Sequence, residues 1–313
     1  MKGLELSELF YREFGEILLK EQFSDIIDKI AVGLLGSGSE CFGFDDEIST
    51  DHDFEPGFCI FIPDEDVIDR KTAFNLERAY SRLPKEYLGY KRSTLSPVGG
   101  NRHGVIRISD FFLSKTGTPD GELSSSQWFS LPEQSLAEAV NGRIFFDGSG
   151  QITSIRKRLK YLPSDVRLKK LAGEVLIMGQ SGQYNYPRCI KRLETGAAQL
   201  ALTEFVKSAM HTVFLLNSSY MPYYKWSFKA LRTLSVLSDL DQPFEYLISS
   251  GNTQSEVKAK VEICEDICSL IFGELKAQGL SDISSSSAEA HAYEINKRIS
   301  DEKIRNLHIM YAI

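Results

Sequence analysis

The pattern of hydrophobic residues changes near residue 151, and this change constrains the fold more than any other feature of the chain. Before it, short apolar runs of strand-like length occur as IAVGLLG, GFCIFI, GVIRI and RIFFD. Beyond it, apolar residues recur almost throughout at helical spacing. The 313-residue sequence therefore predicts an α+β (α/β) domain with a mixed sheet over residues 1–150, followed by an all-α helical bundle over residues 151–313.

The predicted helices follow from periodicity and from residues that end helices. In the first domain, residues 5–30 and 66–82 have helical spacing, and Pro84 prevents the second helix from continuing. Residues 109–112 fit either a continuation of the GVIRI strand or the capped start of a helix. In the second domain, the predicted helices cover residues 164–179, 187–216, 222–236, 254–279 and 286–311.

The net charge and the cysteines indicate which binding partners and which cellular compartment to expect. A formal net charge of −7 disfavours extended nucleic acid as a partner. No apolar run reaches the roughly 18 residues that a membrane span needs, so no membrane partner is expected. The five cysteines are odd in number and lack Cys-x-x-Cys spacing, which favours free thiols and a cytoplasmic location.

A glycine–serine turn followed by an acidic segment is the strongest indication of a functional site. The IAVGLLG strand runs into GSGS at residues 36–39, and an acidic loop then leads through DHD at 51–53 to the GFCIFI strand. Glycine and serine at a strand end let backbone amides and hydroxyls approach phosphate oxygens. We therefore expect Gly36, Ser37 and Ser39 to bind a nucleotide.

The two aspartates of the DHD motif are the predicted metal ligands and catalytic residues. On an extended segment, Asp51 and Asp53 point to the same face and can share one metal pair, whereas His52 points away. Carboxylate oxygens suit Mg²⁺ or Mn²⁺, which would act together with the phosphates of a nucleoside triphosphate. The alternative is a solvated acidic loop, formed by these aspartates and residues 45–47.

A third carboxylate would help the attacking hydroxyl to lose its proton. The GVIRI strand contains no acid, and Asp110 just after it is the nearest candidate. If the strand continues, Asp110 shares a face with Ile106 and Ile108, whereas at a helix start it would serve as a cap. His103, on the loop before GVIRI, is a candidate for the substrate pocket.

A basic cluster in the helical half is the predicted partner of the phosphates. Pro187 is expected to start a helix, which puts Arg188, Lys191 and Arg192 at its N-terminus. There the helix dipole would add to their positive charge and favour a nucleotide. The alternative is a solvated basic face, paired with Glu194.

Aromatic residues of the helical half are further candidates for the substrate pocket. The candidates are Tyr184, Tyr223, Tyr224 and Lys225. Aromatic rings beside a cation can stack on a base or another flat substrate. Dense aromatic segments also commonly form the core between helices, and this alternative stays open.

The segment GLLGSGSECFGFDDEISTDHDFEPGF resembles the signature of the nucleotidyltransferase superfamily, which has the polymerase-beta-like fold. More narrowly, it resembles the bacterial domain-of-unknown-function 4037 family. GQYNYPRCIKRLETGAAQLALTEF and LLNSSYMPYYKWSFKALRTL extend that likeness over most of the chain, and a distant likeness is to the kanamycin and lincosamide nucleotidyltransferases. The resemblance implies a minimal nucleotidyltransferase domain with a helical C-terminal domain, and the use of Mg²⁺ and a nucleoside triphosphate.

Two functions agree with these features. The first is transfer of a nucleoside monophosphate to a hydroxyl of a small molecule, a protein or an RNA end, with release of pyrophosphate and with Asp51, Asp53 and Asp110 as catalytic residues. The second is a weak or inactive nucleotide-binding or interaction module on the same fold, such as a toxin–antitoxin partner. The sequence leaves the acceptor, the base and the oligomeric state open, a homodimer included.

Overall fold

The computed structural model describes residues 1–51, 54–92 and 103–311, with Thr50 and Asp51 described by their backbone alone. The chain forms two compact units. Unit one contains Met1–Ser124 and Leu131–Lys160, and unit two contains Ser125–Ser130 and Tyr161–Ile313. The predicted boundary at residue 150 therefore falls inside unit one, directly before its last helix.

Unit one contains a mixed four-stranded sheet and a short two-stranded ribbon. The strands are β1 (Ala31–Leu34), β2 (Cys59–Ile62), β3 (Glu86–Tyr87), β4 (Tyr90–Lys91), β5 (Gly104–Arg107) and β6 (Arg143–Asp147). The main sheet has the order β5-β2-β1-β6, and β3 pairs with β4 in the ribbon. β1 is antiparallel to β2 and β6, whereas β2 is parallel to β5. The predicted combination of a mixed sheet and a helical region is confirmed.

The strand register brings several loops to one end of the sheet. Gly33 of β1 is opposite Cys59 of β2, and Cys59 is opposite Gly104 of β5. Leu34 is opposite Arg143, the first residue of β6. The chain therefore leaves β1 at the same end at which it enters β2, β5 and β6. We call this end, defined by Leu34, Cys59, Gly104 and Arg143, the Leu34 end of the sheet.

Both units contain helices, which are joined by turns and loops. Those of unit one are α1 (Gly3–Phe10), α2 (Glu16–Gln22), α3 (Arg70–Ser81), α4 (Ile108–Thr116), α6 (Glu133–Val140) and α7 (Gln151–Leu159). Those of unit two are α5 (Ser125–Ser130), α8 (Ser164–Met178), α9 (Tyr186–Lys191), α10 (Thr195–Leu216), α11 (Tyr224–Leu231), α12 (Asp241–Ser249), α13 (Gln254–Ala277), α14 (Ala288–Lys297) and α15 (Glu302–Asn306).

The first predicted helix, over residues 5–30, ends earlier than its periodicity suggests. A π-helical turn at Tyr11–Gly15 joins α1 to α2, which ends at Gln22. Gly15 is required in that turn because a Cβ atom there would lie 2.4 Å from the Phe58 ring. Phe23 then leaves the helical conformation and is buried in the core of the unit, so the chain turns towards β1.

The helix break that the sequence suggests before Pro187 does not exist. α8, a π-helical turn at Gly179–Asn185 and α9 form one continuous helical segment. The wider turn accommodates a proline, which has no N–H group and crowds the carbonyl of a regular helix. Gly182 packs so closely that a Cβ atom would lie 2.3 Å from the Phe205 ring. The real break follows α9, where Leu193 has a φ of 61° and α10 begins at Thr195.

The last predicted helix, over residues 286–311, is two helices. α14 ends at Lys297, and Asp165 accepts the backbone N–H groups of Ser300 and Asp301 at 3.1 and 2.8 Å. Asp301 in turn caps α15. Buried Lys169 strengthens this region, since its ammonium group donates to the carbonyl oxygens of residues 305 and 307.

Candidate functional site

The Gly36–Ser37 turn follows β1 at the Leu34 end of the sheet. Gly36 and Gly38 have φ values of 98° and 121°, a region that favours glycine. The Gly36 N–H group donates to Oδ1 of Asn141 at 2.8 Å, and Nδ2 of Asn141 donates to the Gly36 carbonyl at 2.7 Å. This double hydrogen bond fixes the turn to the residue at the end of α6.

Asn141 is itself held by a neighbouring arginine. The guanidinium of Arg156, on α7, donates to the carbonyl oxygens of Val140 and Asn141, each at 2.6 Å. Burial lowers the pKa of Arg156 from its ordinary value. Sequence reasoning missed Asn141 because its partner lies 105 residues earlier in the chain.

The Ser37 hydroxyl lies in a small polar cluster, which we call the Ser37 cluster and which consists of Ser37, Lys115 and Glu138. The hydroxyl donates to Oε2 of Glu138 at 2.8 Å and accepts from Nζ of Lys115 at 3.1 Å. Lys115 also donates to Glu138 at 2.5 Å, and both charged side chains are 18% exposed. Lys115 comes from the end of α4 and Glu138 from α6, so a cation and an anion meet at the turn.

Ser39, the third predicted nucleotide-binding residue, continues the turn. Its carbonyl oxygen accepts the backbone N–H groups of Phe42 and Phe44 at 3.2 and 2.9 Å. Within the described part of the chain, the N–H groups of Gly38 and Ser39 themselves have no acceptor. The turn therefore presents two neighbouring backbone donors.

The acidic segment is not extended at Asp51. The expectation that Asp51 and Asp53 point to one face of an extended segment is therefore wrong at Asp51. Ile48–Asp51 forms a 3₁₀ turn, and β2 begins only at Cys59. Asp46 causes this turn locally, since its Oδ1 accepts the N–H group of Ser49 at 3.2 Å and its own N–H donates to the Ser49 hydroxyl. The Asp51 side chain, His52 and Asp53 lie outside the described residues, so their role as metal ligands stays a prediction.

The loop that carries the acidic segment is partly built into the fold. Asp45 is buried, and its Oδ2 accepts the N–H group of Gly3 at 2.8 Å while the Lys2 ammonium lies 3.4 Å from Oδ1. Asp45 thus anchors the start of α1, and the alternative of a fully solvated acidic loop is wrong for this residue. A cleft of about 490 Å³ adjoins it, lined by Met1, Lys2, Glu5, Asp45, Asp46, Glu47, Phe54 and Tyr90.

His103, predicted to face substrate, pairs with a carboxylate at the Leu34 end of the sheet. Its Nδ1 lies 3.1 Å from Oε1 of Glu55, and the two side chains are 11% and 18% exposed. Gly57 leaves room for the ring, because a Cβ atom there would lie 2.8 Å from Cγ of His103. No local pattern predicts this pair, because its members are 48 residues apart in the chain.

Asp110 lies in a helix, so of the two alternatives for residues 109–112 the helix start is correct and the strand continuation is wrong. The residue at the N-cap position is Arg107, and not Asp110. β5 ends at Arg107, and α4 starts at Ile108 with Asp110 exposed in its first turn. At this change from strand to helix, the Arg107 guanidinium donates to the carbonyl oxygens of Pro63 and Ile68. Since β5 runs away from the Leu34 end, Asp110 follows the opposite end of the sheet. Its role as a third acid stays a prediction.

The basic cluster of unit two lies at the C-terminal end of a helix, not at an N-terminus. Arg188 and Lys191 belong to the last turn of α9, and Arg192 follows directly. Cations at this position interact favourably with the negative end of the helix dipole. Their presence therefore does not require a bound phosphate. The Arg188 guanidinium also lies 4.6 Å from the centre of the Tyr184 ring.

The candidate pocket aromatics are exposed in unit two. Tyr184 lines a cleft of about 520 Å³ formed by the π-helical turn, α13 and the start of α14. Tyr223 and Tyr224 are 45% and 75% exposed at the start of α11, with ring centres 4.2 Å apart. The Lys225 ammonium lies 4.8 Å from the centre of the Trp226 ring. The alternative that these tyrosines form core is therefore wrong, and what they bind stays a prediction.

Two kinds of feature are absent from the described residues. Among residues 1–51, 54–92 and 103–311, no group of three or more His, Cys, Asp or Glu side chains could hold a metal ion. In the same part of the chain, no helix is long and apolar enough to cross a membrane.

The chain is similar to a protein family over part of its length and to a solved structure over most of its length. No curated protein matches the chain. Among solved structures, that of a nucleotidyltransferase-like protein from Exiguobacterium sibiricum 255-15 is similar, with 11% identity, a TM-score of 0.41 and coverage of 95% of this chain and 88% of that chain. Residues 128–227 match a family described as Domain of unknown function (DUF4037). The resemblance to this family that the sequence indicated is confirmed over those residues.

Proposed function

We propose that the protein transfers a nucleoside monophosphate from a nucleoside triphosphate to a hydroxyl acceptor and releases pyrophosphate. The observation that carries this proposal is the turn at residues 36–39. Asn141 fixes it through two hydrogen bonds, and the N–H groups of Gly38 and Ser39 have no acceptor in the described part of the chain. Neighbouring backbone N–H groups in a turn with positive φ form a concave site that suits phosphate oxygens.

The acidic segment belongs to the same loop. The loop leaves β1 and enters β2 at the Leu34 end of the sheet. Both the proposed phosphate site and the segment with Asp51 and Asp53 therefore lie on a loop that starts and finishes at that end. The His103–Glu55 pair precedes β5 there as well.

Mg²⁺ fits the donor chemistry of this segment. Asp51 and Asp53 supply the hard carboxylate oxygens that Mg²⁺ prefers, and Mg²⁺ commonly completes its coordination with substrate phosphates. When bound, the ion neutralises phosphate charge and orients the triphosphate. The two aspartates are the residues that we expect to hold it.

The transfer forms one bond and breaks another. The acceptor oxygen attacks the α-phosphorus, and the bond from that phosphorus to the oxygen that bridges to the β-phosphate breaks. Pyrophosphate leaves with the bridging oxygen, and the hydroxyl proton passes to a base or to water. The backbone donors at residues 38 and 39 would bind phosphate oxygens during this step and so stabilise developing charge.

A second candidate is nucleotide binding without turnover. It is favoured by the position of Asp110, which follows the opposite end of the sheet and not the Leu34 end. It is also favoured by Glu138, the carboxylate beside Ser37, which is engaged by Lys115.

Labelling with radioactive nucleoside triphosphates separates the two candidates. The purified chain is incubated with each α-labelled triphosphate, Mg²⁺ or Mn²⁺, and cell extract, and we expect one fraction of the extract to become labelled. The double substitution Asp51→Asn and Asp53→Asn should abolish labelling, whereas Asp66→Asn, a change at an exposed acid after β2, should not. Triphosphate binding without any labelled product would support the second candidate. If the chain bound no triphosphate at all, both would be wrong.

A further inference from the structure

The Ser37 cluster brings one movable cation to the proposed phosphate site. Lys115 reaches Ser37 from a helix that begins at the other end of the sheet, and its ammonium contacts both Ser37 and Glu138. A lysine carries three N–H donors on a flexible stem and binds phosphate as a point charge. The Lys115 side chain is 18% exposed, so it is not sealed in the core.

The absent side chain of Gly36 leaves space beside this cation. A Cβ atom at Gly36 would lie 3.9 Å from Nζ of Lys115 and 3.7 Å from its Cε. The lysine side chain therefore packs along the turn itself. An ion pair that only fastened α4 to α6 would have no need to include the turn, yet both Lys115 and Glu138 contact the Ser37 hydroxyl.

We propose that Lys115 binds a phosphate group of the nucleoside triphosphate, and that Glu138 holds its ammonium group until the phosphate replaces the carboxylate. This inference rests on the proposed function. The exchange needs no change of protonation: Lys115 leaves one anion for another, and the Ser37 hydroxyl, which donates to Glu138, becomes a donor to phosphate. Glu138 thus competes with the nucleotide for both groups and sets its affinity.

Competition predicts opposite effects for the two partners. Lys115→Met removes a charge-assisted hydrogen bond to phosphate and should weaken ATP binding about 10- to 100-fold. Glu138→Gln keeps a neutral acceptor for Ser37 and Lys115 but removes the competing charge, so it should tighten ATP binding about 3- to 10-fold. Because the contact is to phosphate, tripolyphosphate should show the same order of affinities as ATP.

The experiment is isothermal titration of the full chain and its variants with Mg²⁺ and ATP, then with tripolyphosphate. Lys20→Met is the matched control, since it removes the same charge from an exposed pair with Glu16 and should leave affinity unchanged. Lys115→Arg keeps the charge and provides a second readout should Lys115→Met unfold. Far-ultraviolet circular dichroism shows whether each variant is folded.

The outcomes distinguish this inference from the function on which it rests. If the wild type binds ATP but Lys115→Met and Glu138→Gln both leave affinity unchanged, or both weaken it, the exchange is wrong while nucleotide binding stands. If affinity falls as strongly in Lys20→Met as in Lys115→Met, the effect is one of overall charge and the inference also fails. If the wild type binds neither ATP nor tripolyphosphate, the proposed function itself fails.

Discussion

The fixation of the turn by Asn141 makes a quantitative prediction. Asn141→Ala removes both hydrogen bonds to Gly36, which measure 2.8 and 2.7 Å, and leaves the N–H and C=O groups of a buried residue without those partners. Each neutral hydrogen bond contributes about 0.5–1.5 kcal/mol, so the turn should lose about 1–3 kcal/mol. Because the bonds are local to the turn, the loss should appear as easier local opening and not chiefly as global unfolding.

Amide hydrogen exchange measures that opening directly. A loss of about 1–3 kcal/mol corresponds to exchange about 5- to 150-fold faster at Gly36, if opening and closing are fast compared with exchange. Asn75→Ala is the control, since Asn75 is exposed on α3 and should leave the exchange at Gly36 unchanged. Unchanged protection of Gly36 in Asn141→Ala would mean that the asparagine does not hold the turn, and that the turn is not preorganised for phosphate by these hydrogen bonds.

Three further predictions concern thiol reactivity, pH and the candidate third acid. Cys189 is the half-buried thiol among the five free cysteines, whereas burial raises the pKa of Cys264 to about 12. A maleimide at pH 7 should therefore label Cys189 first in the folded chain, as measured by mass spectrometry. Equal labelling of Cys264 would contradict this prediction. Burial raises the pKa of Tyr11 to about 12 from its ordinary value of 10.0, so the stability it contributes is complete below pH 10 and is lost as pH rises to 12. Between pH 10 and 12, the free energy of unfolding measured in urea should therefore fall by about 1–2 kcal/mol less in Tyr11→Phe than in the wild type. Identical pH profiles of the two proteins would argue against the burial effect. Asp110→Asn tests the predicted third acid. A fall in the labelling rate of about 10²–10⁴ would support Asp110 as the general base, whereas a rate nearly unchanged, as its place beyond the opposite end of the sheet suggests, would exclude that role.

The local elements of the fold could be predicted because their signals are local. The strand-like runs at 31–34, 59–62, 104–107 and 143–147 are all strands, since short apolar segments between turn residues are typical of buried strands. Asp69 caps α3 by accepting the Thr72 N–H group at 2.7 Å, close to the predicted start of that helix. Capping and periodicity need only neighbours within a few residues.

The contacts at the site could not be predicted because they join distant parts of the chain. Lys115 and Glu138 lie 78 and 101 residues after Ser37, and Asn141 lies 105 residues after Gly36. A single sequence contains no signal for such pairs, since each residue alone reads as an ordinary helix-surface or helix-end residue. The continuous helix through Pro187 was missed for a different reason, because a π-helical turn leaves no mark in a 3.6-residue period.

The direction of α4 decides which polar residue of the GVIRISDFFLSK segment can serve the site. A strand through this segment would carry Asp110 farther from the Leu34 end, whereas the helix reverses the chain and brings Lys115 back to Ser37. A rise of about 1.5 Å per residue separates Asp110 from Lys115 by about 7.5 Å along the helix axis. The helix at residues 108–116 therefore brings a cation to the turn, whereas Asp110 would lie beyond the opposite end of the sheet if the strand continued. A prediction based on a third carboxylate does not point to Lys115, because the group that the fold places beside Ser37 is a cation, which is paired with Glu138.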